Sequence, residues 1–434
     1  MAGNNFVASI DIGTEKIALL AADIEDAGHL RIIAHNFCSS DGVKKGSLSS
    51  IDSLARVITK LIEQTKKEIS NVNKVLKSGI LTDGFFQKKT EALIKKKINS
   101  KFIALTQSCT DALELAASLI NLKPGDEVIM PSYTFTSTAN AVVLRGAKPV
   151  FADINPISLN IDSNIIERLI TKKTKAIFVV HYGGSCMNLD KILKIKKKYK
   201  LFIIEDTAHS FLAKYKNKFA GTIGDIGVFS FHETKNLVGG QGGAISINNK
   251  KLIKRANYIL DKGTDRIDFL KDYKKQFISE KNIKFKKKYY SWVDVGSEYR
   301  ASELSSALIY TQIIRSREIN GLRKKIWFKY YNFLSQLNNK YIEILVNNKE
   351  SKSVYHLFAF KTNTVKLAAT TDGKLEQTGT SSTGSTIASA AIPQVLNDLS
   401  DVDMTVEPTN NQVLGYSILQ SGTISTDSAD SCYI

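Results

Sequence analysis

The sequence predicts an α/β protein built on a largely parallel sheet with helices on both faces, occupying the central part of its 434 residues. Three observations predict it. Apolar runs of strand length alternate with stretches of helical spacing, the pattern of β-α-β units. The runs are apolar almost throughout, as strands covered on both sides are. Chemistry-bearing residues gather just past their carboxyl ends, where open parallel sheets place their sites.

Taken in order, FVASIDIGTEKIALLAADIE (6–25) reads as an apolar strand, a tight polar turn and a second strand, and RIIAHNFC (31–38) follows to complete a β-meander. In IDSLARVITKLIEQTKKEI (51–69), Ile51, Leu54, Ile58, Leu61 and Ile62 recur at spacings of three and four, an amphipathic helix with its lysines outward. From Val75 to about Thr362 the alternation sets in. FIALT (102–106) precedes a helix starting near Thr110; DEVIMP (126–131), KPVFADI (148–154), AIFVVH (176–181), LFIIED (201–206) and IGVFSF (226–231) are the further strands. Residues 310–337 keep helical spacing. Beyond about Asn363 the chain turns rich in Thr, Ser and Gly, and residues 363–380 alternate like two short strands about an Asp372-Gly373 turn, a hairpin.

Net charge is +18, which invites a nucleic-acid partner until its distribution is read. Residues 1–72 are nearly neutral at −1, residues 363–434 carry −6, and the middle carries +25. Its lysines come in runs such as Lys95–Lys97, Lys196–Lys198 and Lys286–Lys288, without the glycine-aromatic pattern of an RNA-binding sheet or a basic-helix heptad. Solvated faces are the expectation, with no nucleic acid. No apolar run reaches the length of a membrane helix and the start lacks the layout of a secretion signal, so a cytoplasmic location is expected. Cys38, Cys109, Cys186 and Cys432 lie too far apart for close metal-ligand pairing, so reduced thiols and no metal are expected.

Three segments of the middle could act together. Ser108-Cys109-Thr110 opens a helix, whose free N–H groups, positive dipole end and hydroxyls suit a phosphate, although Thr110 as a plain N-cap is equally simple. Asp206 ends an apolar strand, where an ionised carboxylate needs a cation: a protonated pyridine nitrogen or a local lysine. Lys235 stands in a polar loop before the cluster Gly239-Gly240-Gln241-Gly242-Gly243, where a desolvated amine can lose its proton. A phosphate cradle, an acid and an amine are what a pyridoxal phosphate enzyme requires.

LKSGILTDG (76–84), the run from Pro124 to Ile154, EDTAHS (205–210), GTIGDIGVFSFHETKN (221–236), GGQGGA (239–244) and DVGSEYRASELSSAL (294–308) resemble the DegT/DnrJ-type sugar aminotransferases, nearest to the WecE kind, the dTDP-4-amino-4,6-dideoxygalactose transaminases. The resemblance implies a fold type I pyridoxal phosphate transferase, a homodimer with sites at the subunit interface. It implies Lys235 as the lysine that links to pyridoxal 5′-phosphate and shuttles the proton, Asp206 as the acid that keeps the pyridine nitrogen protonated, and His209 as the partner of the phenolic oxygen. Phe135 would stack on the ring, and the Cys109 N–H with Thr110 and Ser230 would hold the phosphate. Phe135 as an ordinary core aromatic and His209 as a helix-start histidine stay open. His232 and Asn236 are expected to contact sugar or the neighbouring subunit. The implied reaction moves an amino group from L-glutamate to the 4-keto carbon of a nucleotide-linked deoxysugar.

The flanks resemble other things. Asp11-Ile12-Gly13-Thr14 and the Gly42-Val43-Lys44-Lys45-Gly46 loop look like the start of FtsA-type actin-like cell-division proteins, whose DxGT hairpin holds a nucleotide phosphate. No second phosphate loop follows, and DIGT is also an ordinary strand turn. Residues 395–418 resemble segments of phage tail-fibre proteins. The division expected is therefore 1–72 actin-like, 73–362 aminotransferase with a truncated small domain and a lysine-rich insertion around Asp272–Lys288, and 363–434 a virion-like tail. Against the enzyme stand two other expectations, an inactive composite chain with a structural or interaction role and an actin-like nucleotide-binding module.

Overall fold

The computed structural model describes residues 6–12, 16–24, 30–39, 43–44, 47–48, 50–271, 289–336, 342–345, 348–362, 366–369, 375–378 and 418–419. Strands β1 (Phe6–Ile12), β2 (Lys16–Ile24) and β3 (Leu30–Ser39) form an antiparallel sheet in the order β1-β2-β3, the meander that two apolar runs about a polar turn dictate. A small hairpin of β4 (Val43–Lys44) and β5 (Ser47–Leu48) follows. Gly13, Thr14, Gly42, Lys45 and Gly46, on which the phosphate-loop resemblance rests, lie outside the described residues, as do the lysine-rich stretch 272–288 and most of the tail.

Helix α1 (Ile51–Ser78) is capped by Ser50, whose hydroxyl oxygen accepts the Ser53 N–H at 3.2 Å. Its apolar stripe of Leu54, Val57, Ile58, Leu61 and Ile62 packs on Ile17 and Leu19 of β2. The helix runs nine residues beyond the 69 that the apolar spacing marks. The reason is that its continuation has a second partner: Asn71 donates its amide to the buried Thr311 hydroxyl at 3.2 Å, and Val75 packs with Phe86 and Ala307. A polar residue on the inner face hides the periodicity, and one helix crosses the composition break near residue 72.

The main sheet has seven strands: β6 (Ile103–Thr106), β7 (Glu127–Pro131), β8 (Lys148–Ala152), β9 (Thr174–Val180), β10 (Phe202–Asp206), β13 (Ile226–Ser230) and β14 (Gly243–Ile247), in the order β6-β14-β13-β10-β9-β7-β8. Between β10 and β13, the two-residue strands β11 (Lys214–Tyr215) and β12 (Lys218–Phe219) pair with each other. Six strands of the main sheet point one way; β14 alone runs antiparallel to both its neighbours. This is the mixed, mostly parallel sheet the pattern predicts.

Residue parity sorts the strands onto two faces. Ala104, Val128, Met130, Phe178, Ile204, Val228 and Ile245 meet α3 (Cys109–Leu119), α4 (Thr136–Val143) and α7 (Lys250–Ile259). Their strand neighbours Ile129, Ile177, Val179 and Ile203 face the other way, against the short α5 (Ile166–Leu169) and α6 (Asp190–Tyr199). Ile103, Leu105, Phe229 and Ala244 meet α2 (Phe85–Ile98) and the long α8 (Glu303–Gln336) on the same side. Phe178 and Phe229 are wholly buried on opposite faces, each stabilising the sheet by about 1.5–3 kcal/mol.

Lys95–Lys97 and Lys196–Lys198 end α2 and α6, where cations complement the helix dipole, and mostly face solvent as expected. After α8 come β15 (Ile342–Ile344), β16 (Ser351–Lys352), which adds to β11, and β17 (Phe360–Thr362). Strands β18 (Lys366–Ala369) and β19 (Leu375–Thr378) pair antiparallel as expected, the Asp372-Gly373 turn between them lying outside the described residues, and β20 (Ile418–Leu419) lies parallel to β17.

Candidate active site

The carboxyl ends of β6, β7, β9, β10 and β13 converge, and all seven residues singled out from the sequence sit on or just beyond those ends. Helix α3 begins directly after β6. Its N-cap Ser108 accepts the Asp111 N–H at 3.0 Å, so the cap is a serine and Thr110 is left for another role. Being the first helical residues, Cys109 and Thr110 have N–H groups with no preceding turn to bond. The Thr110 hydroxyl meets that of Ser137 at 2.8 Å, which brings the N-terminus of α4 beside that of α3. Close approach from behind is allowed by Gly243 of β14: a Cβ there would stand 2.4 Å from the Ser108 carbonyl carbon and 2.6 Å from the Cys109 nitrogen.

Asp206 is 5% exposed at the end of β10. One carboxylate oxygen accepts the Thr138 hydroxyl at 3.0 Å and the other the Ala208 N–H at 3.1 Å. Burial raises its pKa, and these two bonds, Lys235 and His181 oppose the rise. Burial pushes the Lys235 amine below the ordinary lysine value, with Cys109 and Asp206 pulling the other way. The Cys109 thiol shares the same space; burial and the Asp206 carboxylate hold it well above its usual range, so it stays protonated. Ser230 is buried at the end of β13, its hydroxyl oxygen accepting the His232 N–H at 3.4 Å.

His209 lies between two rings, Tyr182 with centroids 5.4 Å away and His356 at 4.5 Å. Burial lowers its pKa to about 3, so the imidazole is neutral at ordinary pH. Its Nδ1 accepts the Gly183 N–H at 3.5 Å, which leaves the proton on Nε2 for donation. Phe135 precedes α4 and is 66% exposed, so it is no core aromatic. His232 is exposed. Asn236 departs from the expectation of a sugar or subunit contact: it is buried, and its amide is taken up by His356, Val354 and Asn320.

Several residues here gave no signal in the sequence. Ser137 and Thr138 stand in a hydroxyl run, Thr136-Ser137-Thr138, that opens α4 and could have been read as a second helix N-terminus. Tyr133 and Tyr182 join hydroxyls at 3.1 Å across the site's rim. Behind Asp206, the wholly buried Glu205 accepts from His181 Nε2 at 3.0 Å, from the N–H groups of Gly221 at 2.9 Å and Ile223 at 2.7 Å, and from Gly224. Its alternation into the opposite face from Asp206 follows from the strand pleat alone.

The residues present fit a phosphate-bearing pyridinium. The desolvated carboxylate of Asp206 is only partly offset and would be relieved by a cationic ring nitrogen, while two helix N-termini await an anion. Fold and site together define a pyridoxal phosphate-dependent transferase. The chain belongs to the DegT/DnrJ/EryC1/StrS aminotransferase family, whose model matches residues 63–381. It is 31% identical over 305 residues to the spore coat polysaccharide biosynthesis protein SpsC of Bacillus subtilis, covering 70% of this chain and 75% of that protein. It is 31% identical over 297 residues to GDP-perosamine synthase of Escherichia coli O157:H7, with 68% and 74% covered. Among solved structures, NtdA of Bacillus subtilis with its cofactor PMP bound superposes with a TM-score of 0.59 at 29% identity, over 69% of this chain and 64% of that one. The family consists of pyridoxal phosphate-dependent sugar aminotransferases, and pyridoxal 5′-phosphate is the cofactor. No described helix is long and apolar enough to cross a membrane.

Proposed function

We propose that the protein transfers the amino group of L-glutamate to the 4-keto carbon of a nucleotide-linked deoxysugar, in two half-reactions at one site. The observation that carries the proposal is the sharing of one desolvated space by Lys235, Asp206 and the opening of α3. Bound there, pyridoxal phosphate supplies an electron-accepting ring and a carbon that can carry nitrogen. Lys235, with its pKa lowered, is the amine that would hold the cofactor and take and return the proton at the donor Cα. Asp206 holds the proton on the ring nitrogen. His209 donates Nε2–H to the phenolic oxygen, the Cys109 N–H with the Thr110 and Ser230 hydroxyls binds the phosphate, and Phe135 covers one ring face. Glutamate leaves as its 2-oxo acid, and the sugar leaves as the 4-amino sugar. Relatives named for perosamine synthesis and for spore coat polysaccharide biosynthesis support a sugar acceptor.

A homodimer fits the exposure of Phe135, Trp292 (74%) and Val295 (61%), large apolar side chains that a second subunit would cover. A cytoplasmic location suits a nucleotide-sugar substrate. A second reading is favoured by the composition breaks near residues 72 and 362: a composite of an actin-like start, this enzyme and a tail-fibre-like end, in which turnover has been lost. An actin-like nucleotide module is a third, and MgATP would then raise the melting temperature.

A visible spectrum of the protein with added pyridoxal phosphate separates these readings. A band that disappears in Lys235→Ala and bleaches with L-glutamate is expected. A band without bleaching supports the composite reading, and no band at all overturns the enzyme.

A further inference from the structure

We infer that His356 is a positioning residue of this site, locking the His209 ring and the Lys235 loop into one unit. The inference rests on the functional reading above for what the two residues do, and on the following contacts for how they are held.

His356 lies far along the chain from both, in the segment 353–357 that crosses the large domain after α8. The segment is tied to the Gly183-Gly184 turn after β9: Leu357 N–H donates to the Gly183 carbonyl at 3.1 Å, while Val354 N–H at 2.9 Å and the Ser353 hydroxyl at 3.0 Å donate to that of Gly184. Gly184 has φ +98°, and a Cβ on it would stand 2.5 Å from the His356 nitrogen, so only glycine admits the segment this closely. From the other side α8 grips it, with Arg323 donating to the His356 carbonyl at 3.3 Å and Trp327 Nε1 to that of Leu357 at 3.2 Å. Main chain and helix together leave the His356 ring one place to be.

That place is between the two reactive residues. Asn236, which follows Lys235, directs its Nδ2 to the Val354 carbonyl at 2.9 Å, so its Oδ1 faces His356 Nδ1 at 2.6 Å and the imidazole must be the donor. The same ring contacts His209 at 4.5 Å between centroids, and Tyr182 meets that imidazole at 5.4 Å. His209 is thus flanked by Tyr182 and His356, while the N–H that selects its tautomer comes from Gly183, on the very turn the segment braces. One imidazole therefore sets the plane and tautomer of His209 and, through Asn236, the origin of the Lys235 side chain. The charged groups that act on this pair are Lys235, on both imidazoles, and Arg323, on His356, and burial keeps both imidazoles neutral beside them.

The test needs no bound cofactor. Histidine side chains labelled with 15N in the apo-protein report tautomer and protonation directly. In the wild type His209 is expected as a single neutral tautomer with its proton on Nε2 down to well below pH 5. His356→Leu is expected to leave His209 exchanging between its two neutral tautomers, and His356→Gln, whose amide can still donate to Asn236, to restore the wild-type signal in part. Unchanged His209 resonances in a folded His356→Leu protein would overturn the inference. Should that variant fail to fold, Asn236→Ser removes the acceptor and leaves both imidazoles: mixed His209 tautomers support the inference, and a wild-type spectrum overturns it. A missing Lys235-dependent chromophore would instead defeat the functional reading, leaving the tautomer result standing.

Discussion

Glu205→Gln is expected to cost this protein more than any neutral-for-charged change of equal size on its surface. Four donors converge on the two carboxylate oxygens: Ile223 and Gly224 N–H on Oε1, Gly221 N–H and His181 Nε2 on Oε2. A glutamine offers one oxygen and turns an NH2 toward the other pair. His181 cannot rescue the arrangement by moving its proton, because its Nδ1 already accepts the Met187 N–H at 3.2 Å. Two buried donors are therefore orphaned, at about 1–3 kcal/mol each, for a total of about 2–6 kcal/mol. Urea unfolding of the apo-protein, followed by tryptophan fluorescence, measures the loss, and exchange of the Gly221 to Gly224 amides locates it. A loss under about 1 kcal/mol with those amides still protected would refute the reasoning, since it would mean the donors find other acceptors.

Three further outcomes follow from the site. Gly243→Ala is expected to push the start of α3 off β14, because its Cβ would lie 2.4 Å from Ser108; cofactor titration should show weaker binding while circular dichroism stays unchanged, and unaltered affinity would dismiss the cradle. Because burial holds His209 near pKa 3 against an ordinary 6.5, the unfolded chain takes up a proton that the folded one refuses, so stability present above pH 6.5 is lost as the pH falls from there toward 3. The loss is about 1.4 kcal/mol per pH unit, and His209→Gln should flatten the profile by that much; equal slopes would exclude it. The lowered pKa of Lys235 predicts that amine-selective labelling of the apo-protein, resolved by peptide, reaches it at a lower pH than a free lysine in a model peptide, once rates are corrected for access. A titration midpoint no lower than that of the model peptide would contradict a desolvated amine.

The sheet and half of the site were legible because their residues announce themselves locally. Asp206 stands out as a charge ending an apolar run, and Lys235 as an amine before a glycine cluster. Strands buried on both faces also need no partner information to be read, since every residue from Ile203 to Asp206 is excluded from water whichever face it points to. What escaped notice is held together across long stretches of chain. His356 gains its meaning from Gly184 and Asn236, which are more than a hundred residues upstream, and Glu303 caps α2 by accepting the Phe86 and Gln87 N–H groups at 2.8 Å each, where Gly84 has no side chain to do so. Asn236 was misread for the same cause: a polar residue beside a reactive lysine suggests a ligand contact until its distant partners are known. Helix α1 shows the converse, with Asn71 breaking an apolar stripe because Thr311 was there to meet it.

The reversed strand β14 also fixes when the site can exist. It separates β6 from β13, so β6, early in the chain, can join the sheet only by pairing Ile103–Thr106 with Gly243–Ser246. During synthesis β6 therefore waits without a strand partner until roughly a hundred and forty residues later have left the ribosome, and closing so long a loop is slow. The segment 353–357 arrives later still. A nascent chain halted before β14 would hold Asp206 and Lys235 but lack the strand against which the opening of α3 lies, so these parts come to rest together only when the sheet is complete.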